Sequence, residues 1–308
     1  MNDVGRKMTM AEYLRAQAVS VSVLLEMVNR CPAAGWHASY LNPKPPADDS
    51  TDASDKGEIA HSIQLEASEA IVEIINPADY PNKDGSVTAS GTNKAIREAR
   101  ERARLAGKIP VAPEDMLEIR AMVDAQRNYI VSLKESEPAI FGAFMSWPGG
   151  DSELSLFWDD GGVPCRIRPD RMTKDHKLVV DLKFTAGSAE PDTWGRRHLI
   201  PEGQYVRAAF YRRGIEKLFG VTPDYVFLVT ETDPPYLSSL VGVDNRGLEL
   251  GAEKVDRALR TWRECQSKGA WPGYPQRVAY YETPQWLEAT AFDVEAEAWA
   301  AKSMGGQA

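Results

Sequence analysis

Between residues 153 and 243 the chain alternates strand-like runs with turns and one helix, an order that few folds accommodate. Residues 153–158 (ELSLFW), 163–172 (VPCRIRPDRM) and 177–184 (KLVVDLKF) are short β-type runs. Asp159-Asp160-Gly161-Gly162 and Lys174-Asp175-His176 separate them, so the three read as consecutive antiparallel strands. A helix over about 202–219 comes next, then a continuous apolar strand at 224–230 (DYVFLVT), a further strand near 236–243 and a helix at 246–267. No internal repeat is present. Helices first, then a three-strand meander, then helix and strand predict an α/β (α+β) core, with a mixed sheet flanked by helices and an N-terminal helical elaboration.

The character of the chain changes at about residue 138. Before it, residues 1–20 are polar and read as partly mobile. Residues 21–30 carry apolar side chains at helical spacing and end at Cys31-Pro32. Residues 42–56 and 76–92, rich in Pro, Asp, Asn, Gly and Ser, predict loops. Residues 57–69 predict a short helix with Ile59, Ile63 and Leu65 turned inward, 93–106 a basic helix, and Pro113 to about Leu133 a helix with proline in its first turn. The whole chain, 1–308, then reads as one domain: a helical region to 137, a core over 138–270 and a Trp/Pro/Tyr-rich tail from 271.

A chain of 308 residues with 43% hydrophobic residues can bury a sizeable core. No apolar run approaches the ~20 residues of a membrane span, and residues 1–17 lack the apolar stretch of a signal peptide, so the expectation is a soluble cytoplasmic protein without membrane contact. Cys31, Cys165 and Cys265 are too scattered for a zinc knuckle or a disulfide framework. The net charge of −9 argues at first sight against a nucleic-acid partner, because phosphate binding rests on Lys and Arg.

The chemistry sits on the middle runs. Side chains alternate along a strand, so Asp181 and Lys183 point to one face and Leu182 to the other. If the second and third runs pair, Asp170 reaches Asp181 across the ladder. Two adjacent carboxylates repel unless a cation sits between them, and a hard divalent ion such as Mg²⁺ suits such oxygen ligands. Lys183 could polarise a water or steady developing negative charge, and Glu153 could add a third carboxylate. Metal-assisted phosphodiester hydrolysis needs this set. The same charges would also make a plain salt-bridge ladder, Asp181 with Lys183 or Arg168.

Five ordered blocks of this chain resemble the PD-(D/E)XK nuclease superfamily, and within it the RecE-type (exodeoxyribonuclease VIII-like) phage and prophage exonucleases. They are Ser20-Val21-Ser22 with Cys31-Pro32; Gly57-Glu58-Ile59-Ala60-His61 with Leu65-Glu66; Glu153-Leu154-Ser155 with Cys165-Arg166-Ile167-Arg168-Pro169-Asp170; Asp181-Leu182-Lys183; and Trp271-Pro272-Gly273-Tyr274. The resemblance implies a restriction-endonuclease-like core. It implies His61, Asp170, Asp181 and the Leu182 carbonyl as ligands of Mg²⁺, with Mn²⁺ able to substitute. Lys183 would position or activate the attacking water, and Glu153 would support the metal-water network. It further implies 5′→3′ degradation of linear double-stranded DNA leaving a 3′ overhang, a ring-shaped homo-oligomer of three or four copies, and a single-strand annealing protein as partner in recombination. The family's Q-x-x-x-Y motif is altered: the tyrosine is Tyr211, but Arg207 stands four residues before it, and Gln204 lies one turn earlier still. Alternatives are a catalytically silent DNA-end-binding protein on the same fold, and a CRISPR-adaptation-type nuclease without the usual four-cysteine iron–sulfur cluster.

Local charge reverses the argument from net charge. Arg97, Arg100 and Arg104 share one helix face, with Arg102 and Lys108 nearby. Arg196 and Arg197, with Arg207, Arg212 and Arg213, form a second cluster directly after Asp181-Leu182-Lys183. Both are candidates for tracking DNA phosphates, unless Glu98 and Glu101 balance the first. Trp194 is either a base-stacking residue or part of the core.

Overall fold

The computed structural model describes residues 5–43, 52–82, 93–145 and 149–285. Most of the predicted loops 42–56 and 76–92, and the tail beyond 285, lie outside these. Strand β1 (Gly5–Arg6) and helix α1 (Met10–Arg15) come first, followed by α2 (Val21–Asn29), α3 (Pro32–His37) and α4 (Asp52–Glu66). Then come β2 (Val72–Ile74), α5 (Lys94–Leu105), β3 (Ile109–Val111), α6 (Pro113–Ser132) and α7 (Pro138–Met145). The middle of the chain holds β4 (Gly150–Ser152), β5 (Ser155–Asp159), β6 (Pro164–Ile167), β7 (Arg171–Thr173) and β8 (Leu178–Thr185). Helix α8 (Pro191–Trp194) runs into a π-helical turn, Gly195–Leu199; α9 (Gln204–Phe219), β9 (Asp224–Glu231), β10 (Ser238–Gly242) and α10 (Asn245–Lys268) complete the order.

The central sheet has the order β10-β9-β8-β7-β4 and is mixed: β8 and β9 are parallel, joined by a crossover through α9, and the other pairings are antiparallel. Helices cover both faces. Val179 and Phe227 share a core with Val206, Phe210 and Ile215 of α9 and with Leu259 and Trp262 of α10. Val180 and Leu228, which point the other way, pack with Ile130, Leu133 and Ile140 of the α6–α7 side. Phe210 and Trp262 are fully buried, and truncating either to Ala would cost about 3–5 kcal/mol. Helix α10 lies close against α9 because Gly251 has no side chain: a Cβ there would stand 2.6 Å from the Tyr205 carbonyl oxygen.

Three expectations are corrected. The predicted three-strand meander is divided between two sheets. β6 pairs with β5, which also holds β1, whereas β7 pairs with β8 in the central sheet. The break falls at Arg168-Pro169-Asp170, because proline has no N–H to give a ladder. Glu153, expected to open the first strand at 153–158, instead lies outside any strand, in the connection between β4 and β5.

Second, residues 5–15 are ordered rather than loose. Thr9 caps α1: Glu12 donates its N–H to Thr9 Oγ1 at 3.2 Å, and the Thr9 N–H returns to Glu12 at 2.8 Å. This capping box is written in the sequence as Thr9-x-x-Glu12. Arg166 then ties the segment to β6 by donating to the carbonyls of Leu14 (3.2 Å) and Ala16 (2.9 Å). Third, the predicted 42–56 loop yields to helix at Asp52, and Asp55 is buried, where it accepts from Arg104 at 2.6 Å.

The chain divides into two compact units, Met1–Pro272 and Gly273–Ala308. In the second, described residues 273–284 are irregular, with Val278, Tyr280 and Tyr281 exposed. No helix among the described residues is long and apolar enough to cross a membrane.

Candidate metal centre

Three side chains from separate parts of the chain converge beside the central sheet. His61 stands on α4, whose Ile59, Ala60 and Ile63 are buried against Met116, Ile119 and Val123 of α6. That anchoring stripe sets the rotation of the helix and leaves His61 half-buried on the neighbouring face. Asp170 sits at the break before β7 and accepts the Leu182 N–H at 2.7 Å. Glu153 adopts a left-handed backbone (φ 54°), and its N–H donates to the carbonyls of Pro169 and Asp170, each at 3.2 Å. A left-handed non-glycine residue costs of order 1–3 kcal/mol, so surrounding contacts must hold it. Arg168 does so by pairing with the Glu153 carboxylate while its other arm donates to the Met8 carbonyl at 3.0 Å.

His61 Nε2 lies 3.0 Å from Asp170 Oδ2, and Nδ1 lies 3.4 Å from Glu153 Oε1. The three potential ligand atoms all fall within 4.8 Å of one another. Burial raises the Glu153 carboxyl above its usual value, and the negative charge of Asp170 adds to this. Burial pushes Asp170 the same way, but His61, Lys183 and the Leu182 N–H together hold it below the usual carboxylate range. Burial would lower the His61 imidazole, yet the two carboxylates raise it. A cation between the carboxylates therefore relieves their repulsion. One imidazole with two carboxylates is a donor set that fits a divalent metal such as Mn²⁺ or Mg²⁺. Beside the cluster opens a groove of about 570 Å³, walled by Lys7, Met8, Glu58 and Arg168, within the range that holds small ligands.

Asp181 and Lys183 share a face of β8, as alternation predicts, and their charged ends are in contact. The β7–β8 register pairs Arg171 with Val180, which places Asp170 opposite Asp181 one step further on. Their carboxylates nevertheless diverge. Asp170 turns to His61, while Asp181, 2% exposed, turns to Lys183 and accepts from the Tyr225 hydroxyl at 2.5 Å. The gathered triad is therefore His61, Glu153 and Asp170. The Leu182 carbonyl lies 3.4 Å from Lys183 Nζ. Burial, reinforced by the charge of Arg207, pushes the Lys183 ammonium down to about 7, with Asp170 and Glu202 pulling the other way.

The altered motif on α9 reads differently in space. Tyr211 is buried, its hydroxyl donating to the Arg168 carbonyl at 3.4 Å. Arg207, one turn earlier, places its guanidinium 5.9 Å from the centre of the Tyr211 ring. Gln204 is 8% exposed and its Oε1 has no hydrogen-bond partner among the described residues, while Nε2 reaches Glu202 at 3.4 Å.

The second basic cluster is thereby divided. Arg196 and Arg197 are exposed on the π-helical turn, but Arg207 is half-buried against Tyr211. Arg213 is a structural cation, donating to Asp160 at 2.6 and 2.8 Å and to Asp256 at 2.7 Å. Helical spacing could not reveal this, because both carboxylates are remote in sequence. Trp194 is 2% exposed and packs 5.3 Å from Phe227, so it belongs to the core. On α5, Arg97 is exposed, Arg100 half-buried and Arg104 held by Asp55; Lys108, just beyond the helix, is held by Glu73. Sequence reasoning passed over Tyr225 and gave Arg168 no part in holding Glu153. Tyr225 lies in an apolar run with no local sign of its partner.

Residues 20–284 match the model of a family described as a PDDEXK-like domain of unknown function (DUF3799). The crystal structure of a candidate exonuclease from Eubacterium rectale superposes with a TM-score of 0.51 at 12% identity, covering 91% of this chain and 97% of that chain. At that identity the likeness shows a shared fold. The structure of SSO0001 matches at a TM-score of 0.24 and 11% identity, over 66% of this chain and 85% of that one, too little to carry an argument. No curated protein matches.

Proposed function

This chain belongs to the PDDEXK-like family, and on that basis we propose that it is a metal-dependent deoxyribonuclease that degrades linear double-stranded DNA from its ends. The observation that carries the reading is the convergence of His61, Glu153 and Asp170 on one point, with Lys183 interacting electrostatically with Asp170. His61, Glu153 and Asp170 would hold the ion, with Asp181 and the Leu182 carbonyl alongside. When bound, the ion supplies Lewis-acid activation of the phosphodiester and of water. Lys183 orients the attacking water and steadies the negative charge that develops on the phosphate. Asp181 keeps the Lys183 ammonium in place, and Arg168 keeps Glu153 turned toward His61. Arg196 and Arg197 are free to meet backbone phosphates, which position a duplex without reading its sequence.

The resemblance of the five motif blocks extends the proposal. Cleavage runs 5′→3′ and leaves a 3′ overhang, Mg²⁺ is the working ion with Mn²⁺ as substitute, the protein forms a ring of three or four copies, and a single-strand annealing protein takes the product. The test is digestion of end-labelled linear duplex in Mg²⁺ or Mn²⁺, with closed circular duplex as control and light scattering for the assembly. Nucleotide release from linear DNA, abolished in Asp170→Asn and Lys183→Met, is expected. Release that survives both substitutions, or duplex-end binding without metal-dependent release, overturns the assignment.

A further inference from the structure

We propose that the Tyr225 hydroxyl is a positioning group for the metal centre, acting through Asp181. The proposal rests on the reading of this site as a divalent-metal centre. Tyr225 lies on β9, and the parallel register pairs Val179 with Tyr225 and Asp181 with Phe227. Tyr225 is thus the diagonal neighbour of Asp181 on the same face of the sheet, within reach of a long side chain. Its Oη donates to Asp181 Oδ2 at 2.5 Å.

Both partners are closed to water, Tyr225 at 5% and Asp181 at 2% exposure. The bond therefore forms out of contact with bulk solvent. The ring cannot swing away: Tyr211 meets it edge-on at 5.6 Å and Phe227 at 5.3 Å. A hydroxyl fixed in this way and bonded to a carboxylate makes one of the stronger kinds of hydrogen bond. It selects one plane for the Asp181 carboxylate, with Oδ2 toward Tyr225 and Oδ1 toward Lys183. The order of control runs from Tyr225 to Asp181 to Lys183. Among the described residues the Tyr225 hydroxyl donates to Asp181 and makes no hydrogen bond to His61, Glu153 or Asp170, so its role is positional.

The experiment is calorimetric titration of Mn²⁺ into the full chain and into Tyr225→Phe, with melting curves and metal-free duplex binding on both. Removing a group that orients a metal-site residue weakens metal affinity by about 10–100-fold. The expected result is Mn²⁺ affinity lowered at least about tenfold in Tyr225→Phe, with duplex affinity unchanged and kcat lowered more than KM is raised. Equal Mn²⁺ affinity in the two proteins overturns the positioning role alone. A native protein that binds no Mn²⁺ overturns the metal-centre reading, and the proposal with it. Should Tyr225→Phe fail to fold, 3-fluorotyrosine at position 225 keeps the ring and strengthens the donor. An Mn²⁺ affinity altered about twofold or more then supports the proposal, and an unaltered one overturns it.

Discussion

His61 on α4 places its Nε2 3.0 Å from Oδ2 of Asp170, which stands where the chain passes from one sheet to the other. A helix from the N-terminal third and a sheet break from the middle of the chain thus close one half of the site. Contact between an imidazole and a carboxylate that also faces Glu153 makes the site respond to any cation that replaces the imidazole's proton.

Mn²⁺ at a hundred times its dissociation constant should stabilise the native protein by about 3 kcal/mol, a rise of roughly 4 °C in Tm for a chain of this length. Asp170→Asn and His61→Gln should each abolish that rise. Differential scanning fluorimetry with and without EDTA reads the difference. An undiminished rise in either variant would place the ion elsewhere.

Arg196→Glu with Arg197→Glu should weaken duplex binding and reduce the slope of log affinity against log salt by about 2, one for each phosphate left without its arginine. Arg213→Ala, which removes a cation already committed to Asp160 and Asp256, should leave the slope unchanged. Fluorescence anisotropy of a labelled duplex from 50 to 300 mM salt, roughly the range over which phosphate binding weakens, makes the comparison.

Asp160→Asn should destabilise the fold by about 1–2 kcal/mol, because it removes the charge of a buried carboxylate bonded to the half-buried Arg213, which keeps Asp256 as a second partner. Burial alone would raise the Asp160 carboxyl, but hydrogen bonds from Arg213 and Trp158 and the Arg213 charge outweigh it and hold the group below its usual value. A carboxyl lowered on folding contributes stability above its unfolded pKa of about 3.9, and loses it as pH falls through the folded value. Urea melts from pH 7 to pH 3 should therefore show a shallower acid loss in the variant than in the native chain.

Gly251→Ala should cost about 1–3 kcal/mol, since the new methyl on α10 meets the Tyr205 backbone and the Ala209 side chain of α9. Gly273→Ala, with open space around it, should be neutral. A loss confined to the first variant in thermal melts confirms that α9 is seated by this contact.

What the sequence by itself determined was the content of each element and the sharing of faces within it. Apolar spacing specified α2, α6, α9 and α10. The two-residue period of β8 put Asp181 beside Lys183, and the motif blocks singled out His61 and Asp170. These properties depend on neighbours a few residues apart, which local hydrogen bonding fixes. Only the tertiary structure decided which charges meet. It sent the two halves of the 163–172 run into different sheets at Pro169 and brought Glu153 to His61. It turned Asp181 toward Tyr225, and it took Arg104 and Arg213 out of the free basic surface by pairing them with Asp55, Asp160 and Asp256. Each of these is a contact between side chains far apart in sequence. Its formation depends on which buried groups lack any other partner once the core has closed, a condition no local pattern records.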